Sequence, residues 1–245
     1  MNSILCEQLA MDFCCTIEEV QDEKNHFSIY KHHAGRRKFE EENECYLKIA
    51  VVNGKLLFSG REEIISWCRE KYEKDGGEWF FEATNLITLD KRFNEDGYKI
   101  KMVHPFYIAE HITDAKKDDC EIRFYEENEI EQFRGDDRFD EAYAFHKGIP
   151  DVLGISAIRD GRILGMAGAS RDSDIMWQIG INVDDAARGE GIGTVLVSLL
   201  KNEIIKRGKL PYYGTSMSHL ASQNVALGAG FKPAWVELCT TKSSN

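Results

Sequence analysis

Between residues 152 and 183 apolar runs alternate with short polar breaks, and the breaks carry turn chemistry. "VLGISAI" (152–158) and "ILGMAGA" (163–169) flank Asp160-Gly161, a two-residue hairpin signal, so the pattern predicts an antiparallel pair. "MWQIGINV" (176–183) predicts a third strand. Gly180 lies inside it, where a bulge or a close backbone approach to a ligand would be natural. Val195, Leu196, Leu199, Leu200 and Ile204 then recur at helical spacing, which leaves Lys201, Asn202, Lys206 and Arg207 on the face expected to meet water. Gly208 suits the end of that helix, and Pro211 stands where it cannot resume. "LPYYGTSMS" (210–218) predicts another strand, "HLASQNVALGAGF" (219–231) a short helix, and "FKPAWVELCT" (231–240) the last strand. This half reads as mixed α/β.

The first half has its own pattern. "YLKIAVVNGKLLFSG" (46–60) predicts a hairpin about Asn53-Gly54, and "REEIISWCREKYEK" (61–74) an amphipathic helix. Residues 85–108 have the layout of the chain's last segment: a short helix, then Gly-aromatic-Lys, then a strand, with Gly97-Tyr98-Lys99 matching Gly230-Phe231-Lys232. An internal repeat would produce this, and so would coincidence, because helix, glycine and aromatic strand form a common string. The polar stretch "AEHITDAKKDDCEIRFYEE" (109–127) places a domain boundary near Asp118, giving an N-terminal α/β domain of unknown role, 1–117, and a C-terminal domain, 118–245.

Composition narrows the class. With 245 residues, 42% hydrophobic and 30% charged, the chain can bury a proper core. A formal charge of −11 argues against general affinity for nucleic acid or an anionic membrane, since the summed field repels both. No apolar run is long enough to cross a bilayer, and Glu7 and Asp12 interrupt the opening stretch, so no secretory leader is expected. The seven cysteines include no C-x-x-C pair, which points to a reduced, cytoplasmic protein with buried free thiols and no zinc site. His32-His33, in the run "KHHAGRRKFEEENE" (31–44) read as a loop and a helix face, are too little to make a metal site, and none is expected.

The remaining chemistry sits in "ARGEGIGT" (187–194). A Walker A loop needs lysine and then Ser or Thr after its last glycine, whereas Gly193 is followed by Thr194 and Val195. A dinucleotide fingerprint counted from Gly189 and Gly191 requires a third glycine where Thr194 stands. What remains is R-x-x-G-x-G, Arg188, Gly191 and Gly193, at the start of a helix whose free N–H groups and dipole favour an anion. A pyrophosphate would fit there, with Arg188 adding charge. The plain alternative is a glycine turn that lets a helix pack close to a strand.

With both flanks, this segment resembles the GNAT superfamily of N-acyltransferases: "NVDDAARGEGIGTVLVSLLKNEIIKRG" is similar to the family's strand, loop and long helix, and "SQNVALGAGFKPA" to its final helix and turn. The resemblance covers roughly the C-terminal half and implies a GNAT fold there, with a smaller N-terminal α/β domain that would be a degenerate GNAT-like repeat if the internal likeness is real. It also implies acetyl-CoA as cosubstrate and an N-acetyltransferase that passes the acetyl group directly to an amine. Position by position, Ile181 to Val183 would offer backbone groups to the pantetheine, and the amides of Gly189, Gly191, Ile192, Gly193 and Thr194 would hold the phosphates. Ser222 and Asn224 match positions that touch the CoA arm in relatives, although capping or solvated roles suit them equally.

Two departures stand out. Relatives often carry a glutamate base where Gln178 falls, and a tyrosine acid where Ala226 falls. An aliphatic amine, with a pKa of about 10.4, must lose a proton before it attacks a thioester, so a base is required. The nearest substitutes are Tyr213, or its neighbour Tyr212, and His219, each of which also has an ordinary reading, strand core for the tyrosines and a surface hydrogen bond for the histidine. The departures leave room for a non-catalytic acyl-CoA sensor, and more remotely for a nucleotide-binding module. Asp136, Asp137, Asp140 and Glu141 lie where relatives build the acceptor mouth, and they favour a small cationic amine. The expected protein is a monomer or homodimer whose N-terminal domain covers or shapes the acceptor site.

Overall fold

The computed structural model describes residues 1–38 and 45–243. The acidic part of the 31–44 run therefore lies outside the described residues.

In chain order the elements are α1 (Ser3–Phe13), α2 (Ile17–Gln21), β1 (His26–Ile29), β2 (Leu47–Val52), β3 (Lys55–Gly60), α3 (Glu62–Tyr72), α4 (Ala83–Glu95), β4 (Tyr98–Ile108), β5 (Glu121–Glu126) and α5 (Glu127–Ile130). There follow β6 (Asp151–Arg159), β7 (Arg162–Ser170), β8 (Met176–Val183), α6 (Ile192–Lys206), β9 (Leu210–Gly214), α7 (Leu220–Gly228) and β10 (Lys232–Lys242). Among the described residues the strands form one ten-stranded mixed sheet in the order β1-β3-β2-β10-β4-β9-β8-β7-β6-β5. The predicted hairpins form where their turn residues can adopt positive φ, Asn53 and Gly54 at 48° and 77°, Asp160 and Gly161 at 51° and 74°.

The two halves exchange their last strands. β4, from the first half, lies between β9 and β10, while β10 lies between β4 and β2. The antiparallel β4–β10 register repeats itself when Gly97 is laid on Gly230: the pair Lys99–Thr241 becomes Lys232–Ile108, and both pairs are present. Each strand carries one extra residue at a register shift, Lys101 in β4 and Ala234 in β10, and these two positions also correspond. Two bulges at equivalent places are what an internal repeat about a local two-fold produces. Outside this unit the halves differ, because β8 and β9 are parallel neighbours joined through the glycine loop and α6, whereas β2 and β3 form an antiparallel hairpin. The sheet thus runs unbroken across the expected boundary near Asp118.

One face of the C-terminal strands packs against α6 through Leu196, Val197, Leu200 and Ile204. The other face, near the middle of the sheet, is covered by α1 through Leu5, Leu9 and Phe13. Lys201 and Asn202 do not meet water: Lys201 is fully buried, its Nζ donating to Thr113 Oγ1 (2.8 Å) and the Ala229 carbonyl (2.9 Å). Asn202 exchanges hydrogen bonds with both main-chain groups of Thr113. The segment after β4 crosses this face of α6 and turns a polar stripe into an interior one.

The 131–146 segment is two short 3-10 turns and loop. It lies on a stripe of three glycines in adjacent strands, Gly154, Gly168 and Gly180, which are paired in register. A Cβ at these positions would overlap Tyr143 Oη, the Ala142 carbonyl oxygen and the Glu141 carbonyl oxygen respectively. Gly180 therefore makes no bulge, and the backbone that approaches it is the protein's own.

Candidate functional site

The β8–β9 ladder is short. Met176, Trp177 and Gln178 pair with Leu210, Pro211 and Tyr212, and there the pairing stops. From Ile179 and Tyr213 onward the strands part, which frees the β9-facing backbone of β8 through Ile181 and Val183. β8 then runs through a 3-10 turn, Asp185–Ala187, into the glycine loop.

Gly189 and Gly191 have φ of 86° and 79°, a region that favours glycine, and a Cβ on either would meet nothing within 4 Å. Conformation, not crowding, selects glycine at both. Gly193 is different: its Cβ would sit 3.3 Å from Val183 Cγ2 and 3.5 Å from Val225 Cγ2, so it sets how closely α6 approaches β8 and α7. The packing reading holds at Gly193, whereas Gly189 and Gly191 are glycines for their backbone conformation. Gly191 is the N-cap of α6, and Ile192, Gly193 and Thr194 form its first turn, where N–H groups have no acceptor within the helix. The Ile192 side chain is buried, so this residue can offer only its backbone. Arg188 is exposed beside the loop, 2.8 Å from Asp185.

A cavity of about 640 Å³ opens where β8 and β9 part. Its floor includes Gln178, Ile181 and Tyr213, and His219 and Ser222 line it from the start of α7. Tyr213 Oη lies 2.8 Å from Ser222 Oγ, and burial pushes the phenol pKa up, so the hydroxyl stays protonated at neutral pH. Asn224 is exposed on α7. Ala226 is fully buried in the core against α6. Glu141 reaches the cavity, while Asp136 is paired with Arg138 and Asp140 with the Asn182 amide. The acidic cluster mainly fixes its own loop.

The first half supplies another wall: Lys38, Lys101, Met102, His104 and Phe106. Burial lowers the His104 pKa, leaving a neutral imidazole at pH 7. The β4 bulge falls at Lys101, so the extra residue directs a side chain at the cavity rim. Asp151 and Asp172 line the cavity as well. Asp172 was hidden in the sequence within "SRDSD", which reads as an ordinary polar turn; only the fold buries it, to 2% exposure. Its Oδ1 accepts from Ser170 Oγ at 2.6 Å, its Oδ2 bonds the Tyr212 hydroxyl, and burial raises its pKa to about 6.

Beside this wall Arg37 is buried between Asp12 and Glu237, with Lys48 2.9 Å from the second Glu237 oxygen. Trp235 Nε1 donates to Glu237 as well. These groups fasten the 30–38 strap to α1, β2 and β10. Among the described residues no group of three or more His, Cys, Asp or Glu is placed to hold a metal, and no helix is long and apolar enough to cross a membrane.

Compared with curated protein sequences, the chain finds no significant match. Among solved structures it is similar to an acetyltransferase of the GNAT family from Novosphingobium aromaticivorans DSM 12444, with 17% identity, a TM-score of 0.44, and coverage of 61% of this chain and 69% of that one. It is similar also to a GCN5-related N-acetyltransferase-like protein from Streptococcus suis 89/1591, with 13% identity, a TM-score of 0.46, and coverage of 84% and 88%. The profile of the Acetyltransferase (GNAT) family matches residues 112–231, a span that begins just after β4 and ends at the turn before β10. On that match, the C-terminal half of this chain is a GNAT-family acetyltransferase domain.

Proposed function

We propose that the protein binds acetyl-CoA along the freed edge of β8, with the pyrophosphate at Gly189–Thr194, and transfers the acetyl group directly to a small primary amine seated in the cavity. The observation that carries this reading is the continuity of the site: two left-handed glycines open α6 at the end of the strand whose parting from β9 opens the cavity. Phosphate at a helix start is favoured by unpaired N–H groups and the helix dipole, and Arg188 adds a charge that can swing from Asp185.

Tyr213 stands where the strands part and is the candidate acid for the leaving thiolate, with Ser222 orienting its hydroxyl. His219 faces the same cavity and is the second candidate. Backbone N–H groups of β8 beyond Gln178 can polarise the thioester carbonyl as negative charge develops. Among the described residues no cysteine lines the cavity, and Cys239 is pushed above the ordinary thiol range by burial and by Glu237, so an acyl-cysteine intermediate has no nucleophile at hand. Residues 1–117 serve 118–245 by lending β4 to its sheet and Lys38, Lys101 and His104 to its acceptor wall.

The test is CoA release from acetyl-CoA, followed with a thiol reagent, using spermidine and kanamycin as probe amines. Release above the no-amine rate with either amine supports the reading. Tight acetyl-CoA binding without amine-dependent release would favour a sensor instead.

A further inference from the structure

Gln178 cannot take a proton at neutral pH, so an acceptor amine in the cavity still needs a proton acceptor. We propose that Asp172 is the general base of this site, acting through a water in the cavity, with Tyr212 and Gln178 as its positioning residues; this rests on the acetyl-transfer reading.

The hydrogen-bond count is the starting point. Tyr212 Oη lies against Asp172 Oδ2 and 3.1 Å from Gln178 Oε1, yet a phenol has one hydrogen to give. With Asp172 ionised, that hydrogen goes to the carboxylate, and Gln178 turns its NH₂ toward the phenol oxygen. Its carbonyl then faces the cavity, which Gln178 lines, and can accept from an incoming ammonium. With Asp172 protonated, the carboxyl donates to the phenol oxygen, the phenol donates to Gln178 Oε1, and the NH₂ faces the cavity. The protonation state of Asp172 is thus displayed to the acceptor as the orientation of Gln178. An amide passes this message without itself titrating, which a glutamate there would not.

Several groups face Asp172. Arg37 lowers its pKa through space, Asp151 raises it, Ser170 and Tyr212 stabilise the anion by hydrogen bonds, and burial outweighs them. The Lys38 N–H is bonded to the Asp172 carbonyl, and Lys101, His104 and His146 look into the same cavity from β4 and the 141–149 loop. Asp172 is consequently ionised at pH 7 while remaining basic enough to take a proton, the compromise that general base catalysis favours.

The balance closes. The ammonium gives one proton through water to Asp172, and the neutral amine attacks the thioester carbon. The C–N bond forms and the C–S bond breaks. The second amine proton leaves with the CoA thiolate, delivered through the acid, and Asp172 returns its proton to solvent.

The experiment compares the parent with Asp172→Asn, Tyr212→Phe and His104→Gln, using whichever of spermidine and kanamycin turns over faster. For Asp172→Asn, kcat/KM should fall about 10²- to 10⁴-fold while calorimetric acetyl-CoA binding is retained. Tyr212→Phe should lower kcat/KM less than Asp172→Asn does and move the acid limb of the pH profile to higher pH, because the carboxylate loses a donor. Parent-like kcat/KM and an unmoved limb in Asp172→Asn would overturn the proposal. So would loss of the limb in His104→Gln alone. If Asp172→Asn fails to bind acetyl-CoA, Tyr212→Phe decides, and an unshifted limb there overturns the proposal. Absence of turnover in the parent with both amines would instead overturn the reading beneath it.

Discussion

Gly180 on β8 lies directly beneath Glu141, so closely that a Cβ would overlap the Glu141 carbonyl oxygen. Asn182, two residues along, accepts from the Glu141 and Ala142 N–H groups at 3.1 and 2.8 Å. The 131–146 loop is therefore seated on the sheet by a missing side chain and held by an amide. Gly180→Ala must lift the loop, and overpacking of this kind costs about 1–3 kcal/mol. Thermal unfolding should show the loss, and acceptor KM should rise while acetyl-CoA affinity is kept. An unaltered melting temperature would mean that the loop is not seated there.

β4 and β10 are exchanged between the halves, so residues 118–245 alone lack the strand that joins β9 to β10. The fragment beginning at Asp118 should show no cooperative thermal transition. A sharp transition, with acetyl-CoA binding intact, would show that β4 is dispensable.

Glu237 is fully buried between Arg37 and Lys48, and these two cations hold its carboxyl well below the usual range against the cost of burial. A depressed carboxyl pKa contributes stability above the unfolded pKa, about 4.3, and this is lost as pH falls below that value toward the folded pKa. Glu237→Gln leaves two buried cations short of a partner and should cost about 3–5 kcal/mol at pH 7. The gap from the parent should narrow as pH drops from 4.5 to 3 in denaturant titrations.

Asp172 has the opposite sign. Its pKa rises from 3.8 to about 6, so the folded state holds the proton more tightly and ionisation weakens the fold as pH rises through that interval. At about 1.4 kcal/mol per pH unit, the two units amount to about 3 kcal/mol. The melting temperature of Asp172→Asn relative to the parent should therefore increase from pH 4 to pH 8. A difference independent of pH would show that Asp172 titrates normally.

Much of this was legible in the sequence because it is local. Asp160-Gly161 fixes its hairpin, the apolar repeat from Val195 to Ile204 marks α6, and the spacing of Gly189, Gly191 and Gly193 singles out the loop. The Gly97/Gly230 likeness is visible as well, but the matching bulges at Lys101 and Ala234 exist only in the paired strands. Lys201 looked solvent-facing because nothing in its own helix shows that residue 113 will cover it. The edge strands β1 and β5 leave little trace in the sequence, since four largely half-buried and six mostly exposed residues carry little periodicity. Asp172 and His104 were missed for one reason: each becomes part of a site only when distant segments meet, and neither has a motif.

Whether the glycine loop holds acetyl-CoA is decided by calorimetric titration of the parent and Gly191→Glu with acetyl-CoA. Glutamate at Gly191 would force a side chain onto φ of 79° and place a negative charge at the helix start. The parent should bind saturably and one-to-one, and the variant, still folded by circular dichroism, should not bind. Equal binding by both proteins, or none by the folded parent, would contradict acetyl-CoA binding at the loop.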